Sequence, residues 1–534
     1  MHNIKIFNGI NEDGFRKALS RLDNKSFTDR IWKKDHTLWS SQPGEITDRL
    51  GWLTITDSMR SKVSLLDIFS QKIRESGISH VILLGMGGSS LGAEVLNRVM
   101  GSSAGYPTLI VLDSTIPETI KSVRDSVALS KSLFIVSSKS GTTAETNALF
   151  DYFYSEESSH LRNSVGRHFV AITDPGTPLA KIARERNFKH LFENPADIGG
   201  RYSILSLFGL VPAALMGINI EKLLDSAETM KKRCGPGIPA EENPGCLLGS
   251  FLGATTNCGM DKSTIITSPS LESFGLWVEQ LLAESTGKEG RGIIPVIGEP
   301  LVDTKLYNGD RTFIYIRLEN DNCSATDPFI KDVKALGHPV AELELSSKWE
   351  LGALFYLWEY AVAIAGALIG VHPFNQPDVQ STKDATRNIL NQYAVSGNLA
   401  SPKVDNSISD LLSQAKKGDY FAIMAYLKQT TDSDKRLIEL RKFVLEYHRI
   451  ATTLGYGPRF LHSTGQLHKG GPNKGLFLQV VTDHAIDIPV PGLPYSFGLI
   501  SNAESAGDLD ALKSKGRRIK RIDMSELNHS GLKR

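Results

Sequence analysis

From about residue 61 to about residue 220, apolar runs of strand length alternate with helical stretches, and this alternation constrains the fold more than any other feature. The runs are His80 to Leu84, Thr108 to Leu112, Leu133 to Val136 and Phe169 to Thr173, most of them followed by Gly, Ser or Pro. Strands separated by helices return to the same end of a sheet and therefore pair in parallel. The pattern predicts an α/β fold: a doubly wound parallel sheet with helices on both faces and ligands at the carboxyl ends of the strands. A second such stretch occupies about 246–395, with strand candidates Ser263 to Thr267, Gly292 to Val296, Thr312 to Ile316 and Val340 to Leu343. The last part, about 402–534, reads as strands at Phe421 to Tyr426 and Gly475 to Val481, with a helix from about Asp434 to Thr452. The expected organisation is a polar, helical N-terminal arm (1–60), a first α/β domain (61–234), a Pro/Gly-rich linker (235–245), a second α/β domain (246–395) and a C-terminal α/β extension (402–534).

The net charge of +1 gives no electrostatic case for nucleic acid or a membrane surface as partner. Four cysteines without metal-ligand spacing fit a reducing compartment. With no signal-peptide h-region in Met1 to Phe7, a cytoplasmic protein is expected. The long apolar window Leu351 to Val371 is interrupted by Trp358-Glu359-Tyr360 and reads as a buried core helix rather than a membrane span.

The sharpest local signal is Ser137-Ser138-Lys139-Ser140-Gly141-Thr142-Thr143-Ala144-Glu145-Thr146, which leads from a strand into a helical pattern. Hydroxyls, free backbone N–H groups and a helix N-terminus form an anion site, and phosphate is the anion that suits it. In isolation, a Ser/Thr-rich cap on an ordinary helix would read the same way. An earlier strand ends in Gly85-Met86-Gly87-Gly88-Ser89-Ser90, where glycines let a ligand approach the backbone. This is only Gly-x-Gly-x-x-Ser, without an acidic residue at the dinucleotide spacing, and no Gly-x-x-x-x-Gly-Lys-Ser/Thr nucleotide loop is present.

Four further motifs carry candidate chemistry, each with a plainer alternative. Arg201, after Gly199-Gly200, offers a permanent charge to a phosphate or a developing oxyanion, or is a surface arginine in a turn. Gln280 and Glu284 share a helix face one turn apart, which suits a carboxylate base or a solvated helix end paired with Lys288. Lys383, about two turns into a helix after Gln376-Pro377, is a site lysine or a surface one. His462 and His468, six residues apart among small and polar residues, suggest proton transfer, or two solvated loop histidines.

Together these motifs resemble the glucose-6-phosphate isomerase family over about residues 80 to 470. Gly88-Ser89 and Ser138-Lys139-Ser140-Gly141-Thr142-Thr143 are similar to the phosphate loops of its sugar-isomerase (SIS) domains. Gly199 to Ser203 and Gln280 to Lys288 match its Gly-Gly-Arg-Tyr-Ser and Gln-x-x-x-Glu-Ser-x-Gly-Lys motifs. Asn375 to Lys383 resembles its lysine motif with two acidic residues replaced by amides, and His462-Ser463-Thr464-Gly465-Gln466 its bacterial histidine motif. One departure stands out. In the family the histidine motif precedes the lysine motif, whereas here it follows, as in the isomerase half of transaldolase–isomerase fusion proteins; no transaldolase part is recognisable.

The resemblance implies two SIS-type domains and reversible isomerisation of glucose 6-phosphate and fructose 6-phosphate through an enediolate, by a homodimer needing neither metal nor organic cofactor. It implies Glu284 as proton shuttle, Arg201 at the enediolate oxygen, and His462 with Lys383 in ring opening, with His468 the fallback histidine. The phosphate falls to Gly88, Ser89, Ser138, Lys139, Ser140, Thr142 and Thr143, and Gln280 and Gln376 contact sugar or phosphate. Acceptance of mannose 6-phosphate, or a non-catalytic SIS sugar-phosphate sensor, are the alternatives. A sensor predicts loss of the glutamate, arginine or lysine, and all three are present.

Overall fold

The computed structural model describes residues 4–7, 9–398, 402–405 and 408–527. Strand β1 (Ile4–Phe7) comes first, followed by β2 (His80–Gly85), β3 (Thr108–Leu112), β4 (Ser132–Ser137), β5 (Phe169–Thr173) and β6 (His190–Glu193). The last five form a parallel sheet in the order β3-β2-β4-β5-β6. Strands β7 (Lys262–Thr267), β8 (Ile294–Ile297), β9 (Arg311–Leu318) and β10 (Val340–Leu345) form a second parallel sheet, and β1 adds antiparallel to its β10 edge. Strands β11 (Tyr420–Tyr426), β12 (Ala451–Tyr456), β13 (Gly475–Val481) and β14 (Arg518–Asp523) make a third parallel sheet in the order β12-β11-β13-β14. Strands β4 and β11 are buried at every position, the signature of parallel strands covered on both faces.

In the first sheet the chain moves outward from β2 to β3 and returns to β4 on the other side of β2. The order therefore reverses between β2 and β4, where open α/β sheets place their ligands. Gly85 pairs with Ser137 in register, which sets the Gly87–Ser89 turn beside the hydroxyl loop that follows β4.

The helices that matter below are α1 (Ala144–Leu161), α2 (Ile220–Arg233), α3 (Pro244–Asn257), α4 (Phe274–Thr286), α5 (Leu351–Ile369), α6 (Gln380–Ser396), α7 (Thr431–His448) and α8 (Phe497–Ser514). Helix α5 is long and apolar enough to cross a membrane, yet every residue of it is buried inside the protein. It approaches α3 closely because Gly245, Gly249 and Gly253 repeat every fourth residue on the facing side. A Cβ at Gly249 would lie 2.5 Å from Ile364 Cβ. One continuous core joins these helices to both of the first two sheets and to the N-terminal residues. Trp52 is fully buried and stacks on Tyr202, and Trp39 Nε1 donates to Ala363 O of α5 at 2.8 Å. The Pro/Gly-rich run is drawn into the same core, where Asn243 caps α3 through Cys246 N and Pro244 takes its first position.

The third sheet departs most from expectation. The helix anticipated from Asp434 to Thr452 runs from Thr431 to His448 instead. A capping box between Thr430 and Ser433 starts it, and Arg449, in the left-handed conformation at φ 53°, ends it. The β-branched Thr452 and Thr453 then belong to β12, a strand that the sequence pattern merges with the end of the helix. Strands β1, β6 and β14 are likewise additions to the expected set, and β8 begins at Ile294 rather than Gly292.

Candidate active site

A cavity of about 440 Å³ is lined by Thr142, Thr143, Glu145, Glu284, Gln376, Lys383, His462, Lys469 and Glu504, among others. Each side chain reaches it for an identifiable local reason. After β4, Ser138 Oγ accepts from Gly141 N at 3.1 Å and lies 3.0 Å from Thr143 Oγ1; Ser140 Oγ lies 2.9 Å from Thr142 Oγ1. The hydroxyls thus fold the loop on itself just before α1 begins. Of this loop Thr142 and Thr143 line the cavity, whereas Ser138, Lys139 and Ser140 do not, and the Lys139 ammonium pairs with Asp174, just beyond β5.

The Gly87–Ser89 turn packs backbone against backbone. A Cβ at Gly88 would sit 2.1 Å from Gly200 O, so this position accepts no side chain. The same contact places Arg201. Its guanidinium is 3% exposed and reaches Glu284 Oε2 at 3.1 Å and Gln376 Oε1 at 3.1 Å. It also donates to Pro373 O and Asn375 O, both at 2.9 Å. One arginine therefore holds the base candidate and the lysine-motif loop together, as its planar fork allows.

Glu284 sits near the carboxyl end of α4. Gln280, one turn earlier, donates Nε2 to Glu284 Oε2 at 3.2 Å and to His462 O at 2.8 Å. The expected i, i+4 pairing is present, and it extends to the histidine turn. That turn, Arg459–His462, follows β12 and is anchored by two bonds of 2.7 Å from Arg459 to Asp113, just beyond β3. His462 Nε2 lies 2.7 Å from Glu145 Oε1.

Glu145, in the first turn of α1, is a residue that the sequence motifs do not single out. Burial raises its pKa, but the charge and hydrogen bond of His462, with the charge of Lys383, outweigh burial and hold it below the usual carboxylate range. An acidic residue in the first turn after a hydroxyl loop was the available signal. Lys383 is exposed at the cavity wall, in the first turn of α6 rather than two turns in, because Pro377–Val379 forms a separate short turn. His468 does not reach the cavity: it is buried between the rings of Phe460 and Phe477. Burial, with the charges of Lys469 and Arg517, pushes its pKa well down, and it is a core histidine. Lys469, also missed, is buried against Asp508 of α8 at 2.6 Å.

The late position of the histidine motif is reconciled by Gln466. Its amide donates to Asp378 Oδ2 at 2.8 Å and accepts from Asp378 N at 2.8 Å, tying the histidine and lysine motifs together. Among the described residues no three His, Cys, Asp or Glu side chains converge as a metal site requires. The acidic and basic side chains at the cavity are Glu284, Lys383, Arg387, Lys469, Glu504 and the Glu145–His462 pair, with Arg201 buried against Glu284.

A model of the phosphoglucose isomerase family matches residues 57–292. The chain is 30% identical over 345 residues to a probable glucose-6-phosphate isomerase of Haloarcula marismortui, covering 58% of this chain and 78% of that protein. The chain belongs to the glucose-6-phosphate isomerase family. The family enzyme of Methanocaldococcus jannaschii is 29% identical over 59% of this chain and 86% of its own length. A hypothetical protein of Thermus thermophilus superposes with a TM-score of 0.62 at 25% identity, over 72% of this chain and 99% of that one. The fold of a glucose-6-phosphate isomerase from Chlamydia trachomatis matches with a TM-score of 0.61 at 17% identity, over 73% of this chain and 88% of that one. The family model ends before Lys383 and His462, which geometry brings to the site.

Proposed function

We infer that this chain is a glucose-6-phosphate isomerase that interconverts glucose 6-phosphate and fructose 6-phosphate. The observation that carries the reading is the bridge from Gln280 to both Glu284 and His462, which joins two separately encoded motifs at one cavity with Lys383, while Arg201 backs Glu284. Aldose–ketose isomerisation needs a carboxylate near C1 and C2, a cation near the developing oxyanion, and an acid/base pair for ring opening. Glu284 takes the proton from C2 and returns it to C1. Arg201, already against Glu284, steadies the enediolate oxygen. His462, oriented by Glu145, and Lys383 serve ring opening. Ser89, Ser138, Ser140, Thr142 and Thr143 hold the phosphate, with Gln280 and Gln376 toward the sugar. The position of Lys139 against Asp174 supports a role in holding its loop rather than the phosphate.

The finer readings are a cytoplasmic homodimer, the four-part domain division, and closeness to the isomerase half of transaldolase–isomerase fusions. The last is supported by the motif order. The deciding experiment is a coupled assay of fructose 6-phosphate conversion in the presence of a metal chelator, with Glu284→Gln alongside. Turnover in the wild type that is lost in the variant supports the assignment. Saturable sugar-phosphate binding without turnover would make the protein a sensor.

A further inference from the structure

Glu504, on α8, lines the cavity with Glu145 and His462 yet is only 3% exposed. Its Oε2 accepts from Thr115 Oγ1 at 2.7 Å, and its carboxyl is hydrogen-bonded to that of Glu145. Two carboxyl groups share a hydrogen bond only when one carries the proton. Burial, and then the negative charge of Glu145, place that proton on Glu504, while His462 and Lys383 keep Glu145 ionised. Thr115 holds one oxygen of Glu504 from one side, and Glu145, beside it at the cavity, keeps its own Oε1 on His462 Nε2. The other ionisable groups near this chain of contacts are Tyr426 of β11 and the buried Lys469–Asp508 pair.

We propose that Glu504 is a positioning residue for ring opening: its carboxyl, donating to Glu145, fixes the Glu145 carboxylate against His462 in a Thr115–Glu504–Glu145–His462 chain. The C-terminal helix then takes part in the chemistry through a group that never touches the sugar. What the position requires is a neutral donor that also accepts from Thr115, and an amide meets both demands.

This rests on the isomerase reading, so the wild type is assayed first; no turnover overturns both. Ring opening is read separately, as catalysed anomerisation of glucose 6-phosphate by exchange NMR. Glu504→Leu should lower anomerisation and kcat on the order of 10- to 100-fold, the cost of a misplaced acid–base group. Its affinity for 5-phosphoarabinonate, an open-chain mimic of the enediolate, should stay within about threefold, because uniform binding is untouched. Glu504→Gln should restore both rates to within about threefold of wild type. A wild-type enzyme that turns over while Glu504→Leu anomerises normally overturns this proposal alone. So does a parallel loss of 5-phosphoarabinonate affinity, which marks a merely structural role, or a failure of glutamine to rescue. If the leucine variant does not fold, Thr115→Val removes the donor that orients Glu504. It should slow anomerisation by about threefold or more, and wild-type behaviour there overturns the proposal equally.

Discussion

Glu284 and Glu145 border the same cavity in contrasting settings. Glu284 is held by donors whose charge does not change near neutral pH, the Gln280 amide and the Arg201 guanidinium. Glu145 is held instead by the His462 imidazole, the Glu504 carboxyl and, at longer range, the Lys383 ammonium. The proposed division of labour follows this difference. A shuttle that moves one proton between two carbons needs a fixed field. A wall that opens a ring must hand protons to and from sugar oxygens, a task for the imidazole, with Glu504 a neutral donor behind it.

The largest effect that tests this division is expected at Glu284. Glu284→Gln should lower isomerisation roughly 10²- to 10⁴-fold, the usual contribution of a positioned general base. Anomerisation by the same variant should persist, since the proposal gives ring opening to the other wall. Loss of both activities in step, measured on one preparation by the coupled assay and exchange NMR, would break the division. Next in size is Arg201. Arg201→Lys keeps the charge but loses the fork that spans Glu284, Gln376 and two carbonyls, and a loss of about 10²- to 10³-fold in kcat is expected, as for removal of an oxyanion donor. A change confined to KM would make Arg201 a binding residue only.

Smaller effects are expected at the Glu145 wall. His462→Ala and Glu145→Gln should each slow anomerisation by about 10²-fold, the low end of the acid–base range, because sugar rings also open unaided. Isomerisation should fall less when open-chain substrate is supplied. The double variant should be little worse than either single one, because the pair acts as a unit. Additive losses would separate Glu145 from His462 and remove the ground for pairing them.

The same contrast governs how much of the site could be read from the chain. The Glu284 wall was legible because its signals are local. Gln280 and Glu284 lie one helical turn apart, and the hydroxyls of Ser138 to Thr143 bond within their own loop. The Glu145 wall depends on contacts across hundreds of residues. Glu145 matters because a turn after β12 brings His462 to it, and β12 itself reads as the tail of a helix in the sequence. Glu504 and Lys469 reach the cavity because α8 packs against α6, where Gly507 meets Thr386. Lys139 shows the reverse failure. A lysine in a hydroxyl loop looks like a phosphate ligand until Asp174, on the neighbouring strand, claims it. His462 and His468 were indistinguishable by composition, and only the aromatic packing around His468 separates them. For the fold, the strands that escaped are the short β1 and β6, the charged β14 and β12, none of which carries a continuous apolar run.

Behind both walls lies a third carboxyl. Glu279 precedes Gln280 on α4 and borders a separate cavity of about 520 Å³ with Arg441 and Arg459, the latter anchoring the histidine turn. It is 8% exposed, and burial pushes its pKa up to about 8 although both arginines oppose the shift. The folded protein therefore binds a proton here that the unfolded chain, with an ordinary carboxyl, has released. Stability from this group is complete below about pH 4, the ordinary unfolded carboxylate pKa, and is lost as pH rises through about 8. Glu279→Gln is neutral throughout and escapes that loss. Its stability relative to wild type, from denaturant midpoints, should therefore rise between pH 5 and pH 8.5, by about 1–3 kcal/mol. A difference that is flat over that range would mean Glu279 is ionised in the folded protein. Arg441 and Arg459 would then face a fixed negative charge from α4. The helix that carries the shuttle would be tied to the histidine turn by charge, as well as by the Gln280 amide.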